Sequence, residues 1–210
     1  MVAMSPGAAA DPVPRFSQRD VTPHPRRDQI LDAATRVFTV KGFNAASIRE
    51  IAVEAGMSHT GVLHHFPDKA VLLETLLERR GQRAAAEVGL DFSTGLSYLR
   101  GLLALAERDV AKPDGVLMFS IVSAEALAPT HPAHASIARW YEFLRSTAFD
   151  ALTDLQEKGL YARAGVPVEL AAVQIAGLRA GLTQQWLLAP EVDAAAAFRV
   201  QLQSYVSEPL

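Results

Sequence analysis

Apolar residues recur every three or four positions along most of this chain, the spacing that places side chains on one face of an α-helix. Glycine and proline interrupt the pattern at intervals, and no sustained alternation of polar and β-branched residues predicts a strand. Alanine and leucine, which favour helices, are abundant. The pattern predicts an all-α protein of about nine helices, with a three-helix head followed by a larger helical bundle.

Breaks in the apolar pattern mark the predicted helix boundaries. Pro25 predicts the start of the first helix, because proline is tolerated in the first turn, and Lys41-Gly42 predicts its end. We expect the far end of the helix at about 70–89, including Arg80, to be solvated. The later helices are predicted at about 93–110, from the break at 112–114 to 127, at 132–159, at 167–189 and from 193.

The most informative stretch begins at Ser47. Ser47 and Glu50 are three residues apart, so each can cap a free amide in the first turn of a helix. Gly56 predicts the left-handed residue that ends this helix, and Ser58 predicts the cap of the next one. The first turn of that next helix, residues 59–61, carries no large apolar group. A short helix with a small polar tip, held by a tight turn, is typical of a helix-turn-helix that enters the major groove of DNA.

The tip of the second short helix has side chains suited to base contacts. Thr60 can form a hydrogen bond or offer its methyl group to thymine, and Gly61 allows close backbone approach. His59 lies at the same tip. Ser47 and Ser58 begin helices whose N-terminal amides can bind phosphate, although each is equally well explained as a plain helix cap.

Composition excludes several classes of protein. The chain has no cysteine, which excludes disulfides and thiolate metal sites. No apolar run approaches the roughly 20 residues of a membrane-spanning helix. Residues 1–24 lack the pattern of a signal peptide and are predicted to form a disordered arm.

Charge is distributed unevenly. The formal net charge of −3 argues against a general coat for nucleic acid. Residues 1–90 hold 11 lysines and arginines against 10 acidic residues, whereas residues 91–210 hold 9 against 13. This mild asymmetry fits a DNA-binding end joined to an acidic partner domain.

Residues 25–73 closely resemble the N-terminal region of the TetR family of bacterial transcriptional regulators. Several motifs at the family's spacing carry the resemblance: RRDQILDAA at 26–34, Phe38, KGF at 41–43, SIREIA at 47–52, Ala55-Gly56 and HHFPDK at 64–69. Three later stretches more weakly resemble the effector domains of the BetI-like branch: His131-Pro132, 139–141 and 181–190. The chain departs from that branch at Ala180, where an acidic residue is expected.

The resemblance implies a homodimeric, cytoplasmic repressor with no catalytic activity and no cofactor. Two N-terminal heads would bind a palindromic operator in double-stranded DNA. The bundle would dimerise and hold a small-molecule effector whose binding separates the heads. The implied organisation is a helix-turn-helix DNA-binding domain at 25–69 and a ligand-binding and dimerisation domain at 70–210.

The resemblance also implies further DNA contacts. Lys69 matches a phosphate-binding lysine of the family. Leu63 replaces a tyrosine that contacts phosphate in many members, so we expect Leu63 to be buried and His64 or His65 to take over that contact. The predicted DNA-binding residues are Arg26, Arg27, Ser47, Ser58, His59, Thr60, Gly61, His64, His65 and Lys69.

An effector pocket is expected in the bundle because the family has one. Aromatic residues on the later helices could line it, although ordinary core packing explains any single one equally well. Gln184 is a possible polar anchor, and a glutamine on a helix is also common at a surface or dimer interface. The predicted pocket residues are Phe119, Trp140, Tyr141, Phe143, Gln184 and Trp186.

The helices at about 132–159 and 167–189 are the candidates for dimerisation. Both are long and carry many small residues that permit close helix contact. Two such helices from each chain would form a four-helix interface.

The sequence offers less support for two other classes of function. A helical enzyme or metal-dependent bundle would need paired carboxylates or a Glu-x-x-His motif, and neither is visible. Adjacent helical residues point about 100° apart, so His64 and His65 cannot easily share a metal ion. His131 and His134 have a suitable spacing but lack a nearby third ligand. An architectural DNA-binding protein without effector is disfavoured by the acidic, apolar second domain.

Overall fold

The computed structural model of this chain describes residues 24–210, apart from the side chain of Asp114. The arm predicted at 1–24 therefore lies outside the described residues, except for His24. The described part contains nine helices: α1 (Pro25–Ala45), α2 (Ile48–Glu54), α3 (His59–His65), α4 (Lys69–Val88), α5 (Gly95–Ala111), α6 (Asp114–Glu125), α7 (His134–Glu157), α8 (Val168–Leu188) and α9 (Ala194–Gln203).

This architecture confirms the predicted all-α fold. Between residues 24 and 210, the single extended pairing is one isolated bridge between Tyr161 and Val206. None of the described helices is both long and apolar enough to cross a membrane. Helices α1–α3 form the head, and α5–α9 with the second half of α4 form the bundle.

The predicted caps define the helices of the head. The Ser47 hydroxyl accepts a hydrogen bond from the Glu50 amide at 3.3 Å, and the Glu50 carboxylate accepts one from the Ser47 amide at 2.9 Å. Hydrogen bonds from Lys41 and Ser47 lower the pKa of Glu50 to about 2. The Ser58 hydroxyl accepts a hydrogen bond from the Gly61 amide at the start of α3. At the start of α4, outside the head, the Asp68 carboxylate accepts one from the Val71 amide at 2.8 Å.

Gly42 breaks α1 where the sequence predicted its end. Its backbone angles, φ 71° and ψ 179°, belong to a region that is essentially restricted to glycine. The chain resumes a helical conformation after Gly42 and continues to Ala45. A Cβ added to Gly42 would lie 2.9 Å from Cδ of Glu125, so glycine is required both by its conformation and by its neighbour.

The apolar core has two parts. The first joins the head to the start of α4, to α6 and to the start of α7, with Phe38, Leu72 and Met118 fully buried in it. The second lies between α5, the end of α7, α8 and α9, with Leu152 and Phe198 at its centre. The head thus shares its core with part of the bundle. The domain division at residue 69 stays a prediction.

Substitution of three glycines by alanine should separate these backbone requirements. Gly42→Ala should destabilise the fold most, by about 1–3 kcal/mol for the conformation alone plus the displacement of Glu125. Gly56→Ala should cost less, about 1 kcal/mol, because its φ of 63° is strained for alanine but its added Cβ meets no atom within 4 Å. Urea unfolding monitored by circular dichroism measures the change in unfolding free energy for each variant.

Gly165→Ala is the matched control, since its Cβ also has free space and its φ is not positive. Its unfolding free energy should stay within about 0.5 kcal/mol of the unaltered chain. Equal stability for Gly42→Ala and Gly165→Ala would contradict the role assigned to Gly42.

Candidate nucleic-acid interface and ligand cavity

The turn between α2 and α3 holds α3 at the surface of the head. Gly56, with φ 63°, directs the chain out of α2, and the Met57 amide donates to the Ala52 carbonyl at 2.9 Å. Val62 is the buried residue of α3, and it anchors that helix on the core. The opposite side of α3 therefore faces outward.

The predicted contact residues of α3 lie on this outward side to different degrees. Ser58, His59, Thr60 and His64 are exposed, whereas Gly61 and His65 are half-buried. The tip of α3 is thus exposed at the surface of the head. Leu63 is half-buried and not part of the core cluster, so the expectation that it is buried was wrong.

The side chain of Arg27 contacts other residues of the head. Its guanidinium donates to the His65 carbonyl at 3.0 Å and lies over the Phe66 ring at 4.4 Å. These contacts fasten the start of α1 to the end of α3. Arg26, one residue earlier, is exposed. Ser47 is also exposed, at the start of α2.

Lys69 is bound to backbone carbonyls at the end of α1. Its ammonium group donates to the carbonyls of Phe43 at 2.6 Å and Ala46 at 2.7 Å, with a longer contact to Asn44 at 3.5 Å. It also lies over the Phe43 ring at 4.3 Å. Burial lowers the pKa of Lys69, an effect that the charge of Glu125 opposes. Its predicted contact with DNA phosphate stays a prediction.

Glu125 approaches the same backbone from the bundle. Its carboxylate, at the end of α6, accepts hydrogen bonds from the amides of Phe43 at 2.6 Å and Asn44 at 3.5 Å. We call residues 42–46 together with Lys69 and Glu125 the junction. Lys69 donates hydrogen bonds to carbonyls of this segment, and Glu125 accepts hydrogen bonds from its amides. The junction therefore fixes the head against both α4 and α6.

The two histidines after α6 support the junction. The His131 ring packs edge-on against Phe43 with 5.0 Å between centroids, and its Nδ1 accepts a hydrogen bond from the Ala133 amide. His134 Nδ1 lies 2.8 Å from the Ala126 carbonyl. In the part of the chain that the structure describes, no group of three or more His, Cys, Asp or Glu side chains could hold a metal ion.

A cavity of about 420 Å³ lies between α4, α6, α7 and α8. Four of the predicted pocket residues, Phe119, Trp140, Tyr141 and Gln184, line it. Phe143 instead borders a small neighbouring cavity of about 40 Å³. Trp186 lies away from both and packs against the core between α8 and α9.

Sequence reasoning missed the charged residues of the cavity wall. Arg80, Asp109 and Arg179 line the cavity, although the sequence indicated that Arg80 would be solvated. That expectation was wrong, because Arg80 lies four residues after the buried Leu76, on the same face of α4. Burial lowers the pKa of Arg80 to about 10, and the group remains charged at neutral pH. The part of its side chain that stays exposed borders the cavities.

Two of the arginines near the cavity have carboxylate partners. Arg179 donates to the Asp109 carboxylate at 2.7 Å, and Arg108 donates to its other oxygen at 3.2 Å. Arg108 also donates to Glu87 at 2.8 Å. Arg80 has a different environment: its Nε donates to the Gly115 carbonyl at 2.9 Å, and its guanidinium lies 4.8 Å from the centre of the Phe119 ring.

Comparison with known proteins gives consistent matches. Residues 30–76 match the family model described as bacterial regulatory proteins, tetR family. The transcriptional repressor AcnR of Corynebacterium diphtheriae is 35% identical over 86 residues, which cover 40% of this chain and 43% of that protein. The match thus spans less than half the length of that relative. The transcriptional regulator AcrR of Shigella flexneri is 27% identical over 175 residues, or 79% of this chain and 80% of that protein.

Solved structures show the same fold. A complex of SmeT with triclosan has a TM-score of 0.74 at 20% identity, covering 87% of this chain and 92% of that chain. A TetR-family transcriptional regulator from Agrobacterium tumefaciens has a TM-score of 0.72 at 18% identity, covering 87% and 98%. These likenesses show the fold, and the match to the family model covers residues 30–76 of the helix-turn-helix head. The resemblance to the BetI-like branch stays a prediction.

The hydrogen bond from the Phe43 amide to Glu125 gives a testable prediction. Glu125→Ala should leave the buried Phe43 amide without its acceptor and lower stability by about 1–3 kcal/mol. Hydrogen exchange at the Phe43 amide should become faster in this variant, as measured by NMR or mass spectrometry.

Glu142→Ala, on the exposed side of α7, is the matched control, and it should change neither stability nor exchange at Phe43. Unchanged protection of Phe43 in Glu125→Ala would show that the carboxylate does not hold the head.

Proposed function

Taking the TetR-family helix-turn-helix segment at residues 30–76 as the premise, we propose that this protein is a ligand-responsive transcriptional repressor. It acts as a homodimer on a palindromic operator and is released by a small-molecule effector. The observation that carries the proposal is the outward-facing tip of α3, next to a core that the head shares with the cavity-bearing bundle.

The DNA contacts divide into base contacts and phosphate contacts. The exposed side chains of His59 and Thr60 lie at the tip of α3, the position from which a recognition helix reads base edges. We propose phosphate contacts at the starts of α2 and α3, where Ser47 and Ser58 are exposed. Arg49, which is exposed on α2 and was not named from the sequence, is a further candidate for a phosphate contact.

Dimerisation is supported by an apolar stripe on α8. Leu170, Val173 and Leu188 are 56%, 53% and 82% exposed, although all are apolar. They recur with Gly177 at helical spacing, so they share one outward face. A monomer gains nothing from exposing such a stripe, whereas a second copy would bury it. The exposed side of α7 is more polar, with Arg139, Glu142 and Arg145 among its residues.

Effector release is supported by the position of the cavity beside the junction. On α6, Phe119 and Ser123 line the cavity, and Glu125 contacts the head. On α4, Arg80 lines the cavity and Lys69 contacts the head, about 16 Å away along the helix axis. A ligand that changes the relation of α4 to α6 would therefore act on both sides of the junction.

Selection from a pool of random duplex DNA tests the function. The purified protein at moderate salt should enrich an inverted repeat, because a two-fold dimer presents the same α3 tip to two half-sites about 34 Å apart or a multiple of that. Sequencing the retained DNA measures the motif. Retention of DNA without any motif would instead support an architectural protein.

The same selection should assign Thr60. Thr60→Ala should relax the preference at one or two positions in each half-site and leave affinity for random DNA unchanged. Thr75→Ala, on α4 with its hydroxyl bound to the Val71 carbonyl, is the control and should keep the full motif. An equal loss on selected and random DNA would contradict base reading by Thr60.

The α8 stripe gives a separate prediction. Val173→Glu should place two like charges at the two-fold interface and yield monomers in sedimentation experiments. Affinity for the palindrome should fall at least about tenfold, since each monomer then binds one half-site. Val200→Glu, at a residue 73% exposed on α9, is the matched control and should remain dimeric. A dimeric Val173→Glu protein would exclude this face of α8 as the interface.

A further inference from the structure

Arg80 is the unusual charge of the cavity wall. Among residues 24–210, no carboxylate whose position is described lies within salt-bridge distance of Arg80, whereas Arg108 and Arg179 both contact Asp109. The contacts of Arg80 are one carbonyl, from Gly115, and one aromatic ring, from Phe119. Neither carries a negative charge that could neutralise the guanidinium.

A half-buried guanidinium without a counter-charge is costly. Removal from water disfavours a charge unless an opposite charge or a full set of hydrogen bonds replaces the solvent. At Arg80 the burial is strong enough to lower the pKa to about 10, and the charge of Asp109 offsets only part of that effect. Because Asp109 is already shared by two other arginines, the positive potential at Arg80 remains available to an anion in the cavity.

The rest of the cavity wall is mainly apolar. Ile137, Trp140, Tyr141 and Leu144 of α7 face Phe119 of α6 across it. The volume of about 420 Å³ lies in the range of pockets that bind small organic molecules. The wall thus combines one unneutralised cation with an extended apolar surface.

We propose that the effector is an amphipathic organic anion, with a carboxylate or similar group against Arg80 and an apolar part between α6 and α7. The proposal rests on the regulatory function proposed above and specifies the chemistry of its ligand. Arg80 supplies a planar set of N–H donors that suits a carboxylate. The apolar part gains from burial against the aromatic residues of the wall.

A second cavity also touches Arg80 and is less suitable. It has about 440 Å³ and lies toward α1, with Arg79, Arg83, Arg108 and Lys112 around it. Each of these four cations already pairs with a carboxylate, and Arg79 keeps only 15% of its side-chain surface exposed. The aromatic residues belong to the first cavity, so we place the apolar part of the ligand there.

Three probes with one tail and different head groups test the charge preference. Decanoate, decanamide and decylamine are titrated into the full-length protein by isothermal calorimetry below their aggregation concentrations. Decanoate should bind at least about tenfold more tightly than decanamide, as expected for a buried charge-assisted hydrogen bond. Decylamine should bind most weakly, since its positive head meets Arg80.

Variants at the cavity locate the two parts of the ligand. Arg80→Gln should remove the preference for decanoate over decanamide and leave decanamide affinity unchanged, whereas Arg80→Lys should retain a preference. Arg145→Gln, at an exposed arginine of α7, is the matched control and should bind as the unaltered protein does. Ser120→Leu, which narrows the first cavity, should weaken decanoate and decanamide alike.

Several outcomes would overturn the proposal. Equal affinity for decanoate and decanamide, no saturable decanoate binding, or a preference that survives in Arg80→Gln would each do so. Thermal unfolding of each variant identifies a loss of fold, and Arg80→Lys then provides the decisive comparison. DNA selection is measured on the same protein. A recovered palindrome without a charge preference would reject this inference alone, whereas a charge preference without a palindrome would reject the proposed function.

Discussion

The rest of the structure depends on the way in which the backbone at residues 42–46 is satisfied. Gly42 turns α1 out of its helical path, and this change leaves amides and carbonyls near Phe43 without partners inside the helix. Lys69 of α4 binds the carbonyls, and Glu125 of α6 binds the amides. A single segment of the head is therefore held by oppositely charged side chains from two other helices, α4 and α6.

The same two helices also reach the cavity wall, α4 through Arg80 alone and α6 through several residues including Phe119, so the head and the cavity share two supports. Glu125 and Phe119 lie on α6, and Lys69 and Arg80 lie on α4. Near the cavity, the Nε of Arg80 on α4 donates a hydrogen bond to the Gly115 carbonyl on α6. The two helices are therefore connected there as well as at the junction. A ligand with different affinities for two arrangements of α4 and α6 can shift the equilibrium between them only by that difference in affinity.

Local sequence rules predicted the elements of the head and did not predict the connections between distant elements. Ser47 and Ser58 lie next to the amides that they cap, so the caps could be read from spacing of three residues. Glu125 contacts Phe43 across 82 positions of sequence, and no periodicity encodes that pair. Arg80 was misassigned because a charged residue near the end of a helix is usually solvated. Its place four residues after Leu76 was the available signal.

Asp109 and Arg179 were also missed, although each lies among the buried apolar residues of its helix. Their difference from Arg80 is electrostatic. Asp109 and Arg179 neutralise each other at 2.7 Å, so together they cost the fold little beyond their desolvation. Arg80 has no such partner among the described residues, and the charge of Asp109 offsets only part of its burial cost. An anion that neutralises it would bind the native state and not the unfolded chain, so ligand binding would also stabilise the fold. In the proposal above, the Arg80 charge whose burial costs stability is also the group that selects an anionic ligand.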